Sequence, residues 1–518
     1  MTPLRGLEAA CWKARFYLDP IMCMMDAHRR YGQLGAIGNV LPNRTETLHV
    51  LALGPRLNQL VLNDPELFLN PEPKPEGTAL SRIRWGLISM NGQKHRAQRK
   101  LLWPTFSTKA VERYARGMAD VILPIVEQWP SGGAIEVVSE MRRLALRLSS
   151  HLLFGREART RMEMLGDMVQ EFILRSASIG VHLCPRDWPL APFRALCRHA
   201  EHVEQTLLRL LHERSEMKGD AVDLFDLLVR AHQADPSQMS ETDLVGQAFV
   251  LVAASFENVA ATLVWTLFLL AQHPRVAQEL RDELDGQDIS LQTVNELPLL
   301  DAVVKESMRI LPAVAYLVRV ANQATAIDAL PLKAGDRIAL SPYVTHHLPE
   351  LYAQPECFQP ERWSHIKPLP HEYIPFGTGT RFCIGSHLAI ANIKFSLALI
   401  LKRWCVSLVP GQRVDRMVRV TMRPKHALLM RVQPRDRAFS FQDVVGNIHD
   451  MVSLTAPTRF KAVRTSFGQK LVRSDEPAAC PFAQAGRHLS RPTDVPSPST
   501  AAATDTRAMG TWEGEHDT

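Results

Sequence analysis

One stretch concentrates the side chains best suited to chemistry: Phe376-Gly377-Thr378-Gly379-Thr380-Arg381-Phe382-Cys383-Ile384-Gly385. A lone cysteine stands in a glycine-bounded loop, two residues after an arginine. An apolar helical run, Ser386 to Trp404, follows at once. A helix N-terminus presents orphan N–H groups and the positive end of its dipole, and both favour a metal-binding thiolate at Cys383. Gly377, Gly379 and Gly385 permit a tight turn and a close approach to a flat group. Phe376 can keep water off the sulfur, and Arg381 carries a permanent charge suited to a carboxylate. A buried structural cysteine is the ordinary alternative. The spacing Phe-x-x-Gly-x-Arg-x-Cys-x-Gly fixes five positions in ten. At about one in twenty per position, a chance match in this chain is on the order of 10⁻⁴.

Such a loop needs elements to hold it. In Asp301 to Pro312, Glu306 and Arg309 stand three apart on one helix face, among Val303, Val304, Met308 and Ile310. Those apolar neighbours imply burial, and a buried charge pair must be fully partnered. Arg362, in Phe358-Gln359-Pro360-Glu361-Arg362-Trp363, is the candidate third member. A second helix, Asn91 to Leu102, puts His95 and Arg99 on one face, with Arg96 and Lys100 on the adjacent one. A solvated basic helix is the plain reading there. Arg319 lies in a strand-like stretch, Val318-Arg319-Val320.

These motifs, in this order over roughly residues 30–432, resemble the cytochrome P-450 superfamily of haem-thiolate monooxygenases, soluble bacterial type. The resemblance implies a single large fold, mostly α with small β-sheets, with a long central helix over the haem. It implies haem b (iron protoporphyrin IX) with Cys383 as metal ligand and axial thiolate, in a loop shaped by Phe376, Gly377 and Gly385. Glu306, Arg309 and Arg362 become the structural lock beneath it. His95, Arg99, Arg319 and Arg381 become cofactor-binding contacts to the propionates, and Arg96 and Lys100 fall on the outer surface.

The long apolar helix opens with a capping box, Ser240-x-x-Asp243, and runs from about Glu241 to His273, roughly 50 Å. Its catalytic candidates are Ser255, Glu257 and Asn258. Where the family usually has Ala-Gly-x-Glu/Asp-Thr, this chain has Ala254-Ser255-Phe256-Glu257-Asn258. Glu257 keeps the acid. Asn258 replaces a threonine whose hydroxyl normally serves proton delivery, and an amide donates hydrogen bonds but carries protons poorly. Asn258 takes over the threonine's bonding, with Ser255 or a substrate hydroxyl relaying the proton, or holds a polar substrate group, or the enzyme rearranges a peroxide instead of activating dioxygen. The Ser255 hydroxyl is expected to bond back to the Leu251 carbonyl and bend the helix.

The chain has 518 residues, a formal charge of +6, 46% hydrophobic and 22% charged residues, ordinary for a globular enzyme. No Lys/Arg block points to nucleic acid. No apolar run near residue 1 predicts a signal or transmembrane anchor, so a cytoplasmic monomer is expected. The eight cysteines form no Cys-x-x-Cys pair, which argues against zinc, iron–sulfur ligation and a disulfide framework. Cys184-Pro185 and Cys480-Pro481 read as incidental.

Further helices are expected at Pro20–Tyr31, Ala110–Glu127, Ile135–Leu153, Arg159–Ser176, Arg194–Met217, Val222–Ala231 and Arg275–Leu284. Strands are expected at Glu46–Leu53 and Leu57–Leu62. Residues 1–434 form the haem-thiolate domain. Residues 435–475 form a partly ordered extension, with an amphipathic helix over Asp443–Leu454, and 476–518 a disordered low-complexity tail. The expected pocket lining is Ala79–Ile88, a lid around Phe172–Pro192, Val250–Ala254, Val314–Leu317 and Met422–Arg423. The expected reaction inserts one oxygen atom of dioxygen into a small lipophilic substrate, with electrons from a separate ferredoxin or flavodoxin docking near Arg96, Lys100, Lys394, Lys402 and Arg403. The alternatives are a peroxide-rearranging isomerase or dehydratase, and a non-catalytic haem sensor.

Overall fold

The structure, a computed structural model, describes residues 3–38, 47–73, 77–154, 159–216, 223–454, 461–465 and 468–472. The fold is mostly helical with small sheets, as expected from sequence. Its axis is the helix Glu241–Gln272, opened by the reciprocal Ser240/Asp243 capping box. From Val259 to Gln272 every residue of that helix is buried. A helix buried on all sides reads as apolar all round. It is long and apolar enough to cross a membrane by composition, but it lies mostly inside the fold. The helices Val137–Phe154, Pro298–Ile310 and Ser386–Arg403 pack against it.

A five-stranded sheet lies to one side, in the order Leu34–Ile37, His49–Ala52, Arg337–Leu340, Leu317–Ala321, Phe68–Leu69. A three-stranded sheet joins Ala134–Glu136, Leu429–Pro434 and Trp404–Leu408, and the short pair Arg416–Val418/Met422–Pro424 stands apart from both. One compact unit spans Met1–Pro457. The hairpin Lys461–Thr465/Gly468–Val472 belongs to a second unit.

The structure changes several elements. Leu57–Leu62 is helical, within Pro55–Leu62. Leu57, Asn58, Val61 and Leu62 are its buried positions, a helical spacing that a short apolar run conceals. Pro55 at the first turn and Gly54 at φ 102 start it. The expected helix Ala110–Glu127 is two, Thr108–Ala115 and Met118–Val126, separated at Arg116-Gly117. Asp443–Leu454 forms only one tight turn, Asn447–Asp450. Gly446 before it sits at φ 125 against the Val414 carbonyl, where a helix cannot run through. The N-terminal helix Gly6–Leu18 carries little apolar patterning and was not anticipated. Cys480 and the segment 476–518 lie outside the described residues.

Candidate functional site

The cysteine loop closes on itself through Cys383 N–H to the Phe376 carbonyl (3.0 Å) and Phe382 N–H to the Gly379 carbonyl (3.1 Å). Gly377 (φ 70) and Gly379 (φ 67) supply the left-handed turns, and a Cβ on Gly379 would come within 2.9 Å of the Leu62 carbonyl. Gly385 does not need that freedom: its φ is −93 and it caps the helix Ser386–Arg403. Its N–H instead bonds to the Cys383 sulfur and favours the thiolate, as does Arg99. Burial outweighs both and pushes the thiol up. Cys383 nonetheless has open surface at which a ligand can meet it. A deep thiol of this kind ionises when a cation binds it.

Behind the loop, Glu306 and Arg309 are fully buried. Arg309 grips Glu306 with two bonds, Nε–Oε2 2.9 Å and Nη2–Oε1 2.8 Å. Arg362 Nε and the Gln359 N–H donate to Oε1 (both 3.0 Å), and Trp363 Nε1 donates to Oε2 (3.0 Å). The spare guanidinium N–H groups go to carbonyls: Arg309 to His346 and Pro355, Arg362 to Ala353 and Gln354. Every charge in the trio is thereby compensated. The trio reaches the cysteine loop through His346, whose Nε2 accepts the Ile374 N–H at 2.9 Å. That bond needs a neutral ring, and burial with Arg309 nearby pushes the His346 pKa down to about 3.

Three arginines and a histidine gather near the cysteine loop. Burial depresses the pKa of each; Arg381 does so further for His95 and Arg319, and Arg99 for His95 and Arg381. His95 falls to about 4, Arg319 and Arg381 to about 10. Arg381 Nη2 donates to Asn91 Oδ1 (2.7 Å), while its Nη1 is buried without a partner. Arg99 Nη2 donates to the Phe382 carbonyl at 2.7 Å, and Arg319 Nη1 to the Val318 carbonyl at 2.9 Å. Buried like charges with an unfilled donor fit a dianionic ligand carrying carboxylates. A planar group with two propionates, ligated at Cys383, fits this donor set.

The middle of the long helix carries a stripe of open positions. Ala254 is exposed within a mostly buried helix, and Val250 and Asn258, four residues to either side, are half-buried. Ser255 Oγ donates to the Val252 carbonyl (2.9 Å), not to Leu251. The Ser255 carbonyl accepts from Ser149 Oγ (3.0 Å). Asn258 Oδ1 accepts from Thr421 Oγ1 at 3.1 Å, a partner that no sequence spacing signals. Glu257 has a buried, unpartnered Oε1, and burial raises its pKa against the pull of Arg142 and Arg423.

Arg142 and Arg423 also line a polar cavity of about 750 Å³. Arg423 therefore faces that side cavity, and Met422 is fully buried against Trp265, whose Nε1 donates to its carbonyl. Neither serves as the expected substrate lining. Lys394 is also reassigned: it is 3% exposed and paired with Asp301 at 2.8 Å, so it cannot face a docking partner. Arg96, Lys100 and Arg403 are exposed. Lys402 is half-buried, bonded to the Gln287 carbonyl.

The segment after helix Ala79–Ile83 crosses the long helix closely. A Cβ on Gly246 would overlap the Trp85 carbonyl at 1.7 Å, and one on Gly86 would meet Val250 at 2.6 Å. Trp85 Nε1 donates to Asp243 (2.9 Å) and the Leu87 N–H to Gln247 (3.1 Å).

Comparison with known proteins gives a consistent result. The family described as Cytochrome P450 matches residues 20–431. Cyclooctat-9-en-7-ol 5-monooxygenase of Streptomyces melanosporofaciens is 27% identical over 429 residues, 79% of this chain and 89% of that protein. Pentalenene oxygenase of Streptomyces avermitilis is 27% identical over 374 residues, 68% and 80% of the two chains. The solved structure of retinoic acid-bound cyanobacterial CYP120A1 superposes with a TM-score of 0.70 at 21% identity, covering 81% of this chain and 96% of that one.

Proposed function

We infer that this chain, which belongs to the cytochrome P450 family, hydroxylates or epoxidises a small lipophilic molecule, with Cys383 as the haem ligand. The family makes it a monooxygenase with haem b and cysteine-thiolate ligation, drawing on dioxygen and a redox partner. The thiolate-backed haem supplies the dioxygen-activating chemistry. What carries the residue assignment is the convergence of three arginines and a neutral histidine near a deep-lying cysteine that a compensated ion trio fixes from behind.

Each residue then has a task. His95, Arg99, Arg319 and Arg381 hold the propionates, with Arg381 Nη1 as the unfilled donor. Glu306, Arg309 and Arg362 keep the ligand loop in register. Glu257, whose pKa burial raises, is the proton donor for the reaction. Asn258 acts as a fixed donor: Thr421 occupies its carbonyl oxygen, so its N–H groups are the part left to bond in the cavity. Ser255 has given its own hydroxyl to Val252 and serves helix shape rather than proton relay.

The substrate is small and lipophilic. Relatives named for cyclooctat-9-en-7-ol, pentalenene and retinoic acid support that class. Electrons come from a separate ferredoxin or flavodoxin, for which Arg96, Lys100 and Arg403 offer exposed positive charge. The protein works as a cytoplasmic monomer.

Two measurements test this reading. Wild-type protein should give the thiolate-type spectrum of reduced haem with carbon monoxide, and Cys383→Ser should lose it. With a surrogate reductase and a bound substrate, it should consume dioxygen and release oxygenated product. Asn258 in the threonine position also favours a peroxide-rearranging enzyme; that reading holds if product forms from a hydroperoxide with no dioxygen uptake.

A further inference from the structure

The side cavity of about 750 Å³ lies between the helices Val137–Phe154 and Arg159–Ser176 and residues 423–427. Five permanent cations line it: Arg142, Arg143, Arg147, Arg423 and Lys425. Three carboxylates line it too, and each is already committed. Glu136 accepts from the backbone N–H groups of Val138, Ser139 and Leu428 and from the Ser139 hydroxyl. Glu163 pairs with Arg147 (3.3 Å) and Asp167 with Arg142 (2.9 Å). The cations are not matched in return. Among the described residues, Arg423 and Lys425 have no carboxylate within ion-pair distance. Arg142 and Arg143 each keep a buried Nε with no acceptor. His426, which also lines the cavity, has its Nε2 3.5 Å from Asp415. Donors therefore exceed acceptors around a space large enough for a small molecule. A guanidinium with an unfilled, desolvated N–H is relieved by an anionic acceptor, and its fork matches an oxyanion. Several cations on one cavity call for several charges in a compact group, as an oligophosphate carries.

The same cavity reaches the acid of the long helix. Arg142 lies over the Phe256 ring, 5.6 Å from its centre. Thr421, two residues before Arg423, donates to Asn258 at 3.1 Å. Glu257 stands between Phe256 and Asn258, with its Oε1 buried and unpartnered. The charged groups that act on it are Arg142, from the helix Val137–Phe154, and Arg423, from the strand Met422–Pro424. Both pull its carboxyl down against burial.

We propose that the side cavity is a regulatory site for an oligophosphate, free or carried on a small molecule, held by Arg142, Arg143, Arg423 and Lys425, and that its occupancy acts on Glu257 through the two shared arginines. The bound anion offsets the positive charge facing Glu257, so the carboxyl keeps its proton to higher pH. The action on Glu257 rests on the reading of that residue as proton donor; the binding itself does not.

The experiment titrates tripolyphosphate into the haem-loaded enzyme by calorimetry, at ionic strength matched with sodium chloride. The anion should bind, and Arg143→Gln with Lys425→Gln should weaken it about 10- to 100-fold, the range of charge-assisted hydrogen bonds. Turnover of that double variant without the anion should stay at the wild-type level. Adenosine triphosphate is the second probe: binding tighter than tripolyphosphate assigns a carried phosphate, and equal or weaker binding a free one. Under saturating tripolyphosphate, the high-pH fall in wild-type turnover should move about one pH unit higher. Glu257→Gln should bind tripolyphosphate as the wild type does, with a rate that no longer responds. No binding at matched ionic strength overturns the site, as does binding that the double variant leaves unchanged. Citrate binding as tightly as tripolyphosphate overturns the phosphate assignment. Binding with no effect on the pH profile, or an effect that survives in Glu257→Gln, overturns the coupling.

Discussion

At the residue scale the distal wall sets this chain apart. Asn258 stands where the family usually carries a threonine, and Thr421 donates to its carbonyl oxygen. The pairing has a readable consequence. Thr421→Val should cut the fraction of consumed dioxygen recovered as product by about fivefold, the worth of one hydrogen bond near 1 kcal/mol. Haem content should not change. Asn258→Thr should preserve or raise that fraction; if substrate affinity falls instead, the amide holds substrate. Glu257→Gln should slow turnover by about 10²-fold, the usual size of a general-acid contribution. In the wild type, turnover limited by this proton should fall as pH rises through the raised Glu257 pKa, and Glu257→Gln should flatten that limb. Steady-state rates of both proteins across a pH series decide it.

At the element scale, the ligand loop is only as fixed as the helix Pro298–Ile310 and the turn Pro360–Ser364 behind it. Glu306 takes five hydrogen bonds from four residues. Glu306→Ala would leave two buried guanidinium groups without their carboxylate, a loss of about 3–5 kcal/mol. That is a large share of the roughly 5–15 kcal/mol that holds a domain folded. Little haem-loaded protein should be recovered, as measured by haem quantification; normal loading would remove the trio's assigned role. Glu306 and Arg309 were legible from their three-residue spacing, and Arg362 from the Pro-Glu-Arg-Trp string. The carbonyls that take the remaining guanidinium bonds belong to residues 346–357 and carry no side-chain signal. The helix Pro55–Leu62 was missed for a related reason: its apolar residues Leu57, Leu60, Val61 and Leu62 make too short a run to fix a period, and only packing shows that Asn58 is buried.

At the scale of the whole molecule, several histidines are buried neutral. His49 is held at about 4 by burial, with Lys13 and Arg337 adding to it, and His346 at about 3 by burial and Arg309. Their folded pKa values lie below the ordinary 6.5, so the unfolded chain binds more protons in this range. Stability from these groups is fully present above pH 6.5 and is lost as pH falls towards 4 and then 3. Thermal unfolding should hold steady from pH 8 to 7 and drop progressively below about 6. Glu257 runs the other way, since its folded pKa is raised. His346→Gln, which keeps a neutral acceptor for the Ile374 N–H, should reduce the acid-side loss. A calorimetric series across that range checks both statements.

Residue order alone marks out the candidate ligand cysteine, the members of the ion trio, the basic face of Asn91–Leu102 and the central helix. Each depends on residue type at fixed spacing, which a linear chain displays. Only the tertiary structure decided what meets across the cavity. Thr421 is 163 residues from Asn258, Lys394 is drawn inward by Asp301, and Arg423 turns to a side cavity. The 79–88 segment and the long helix cross closely at Gly86 and Gly246, which nothing in the spacing announces, because burial and partnering are properties of packed elements and not of sequence spacing.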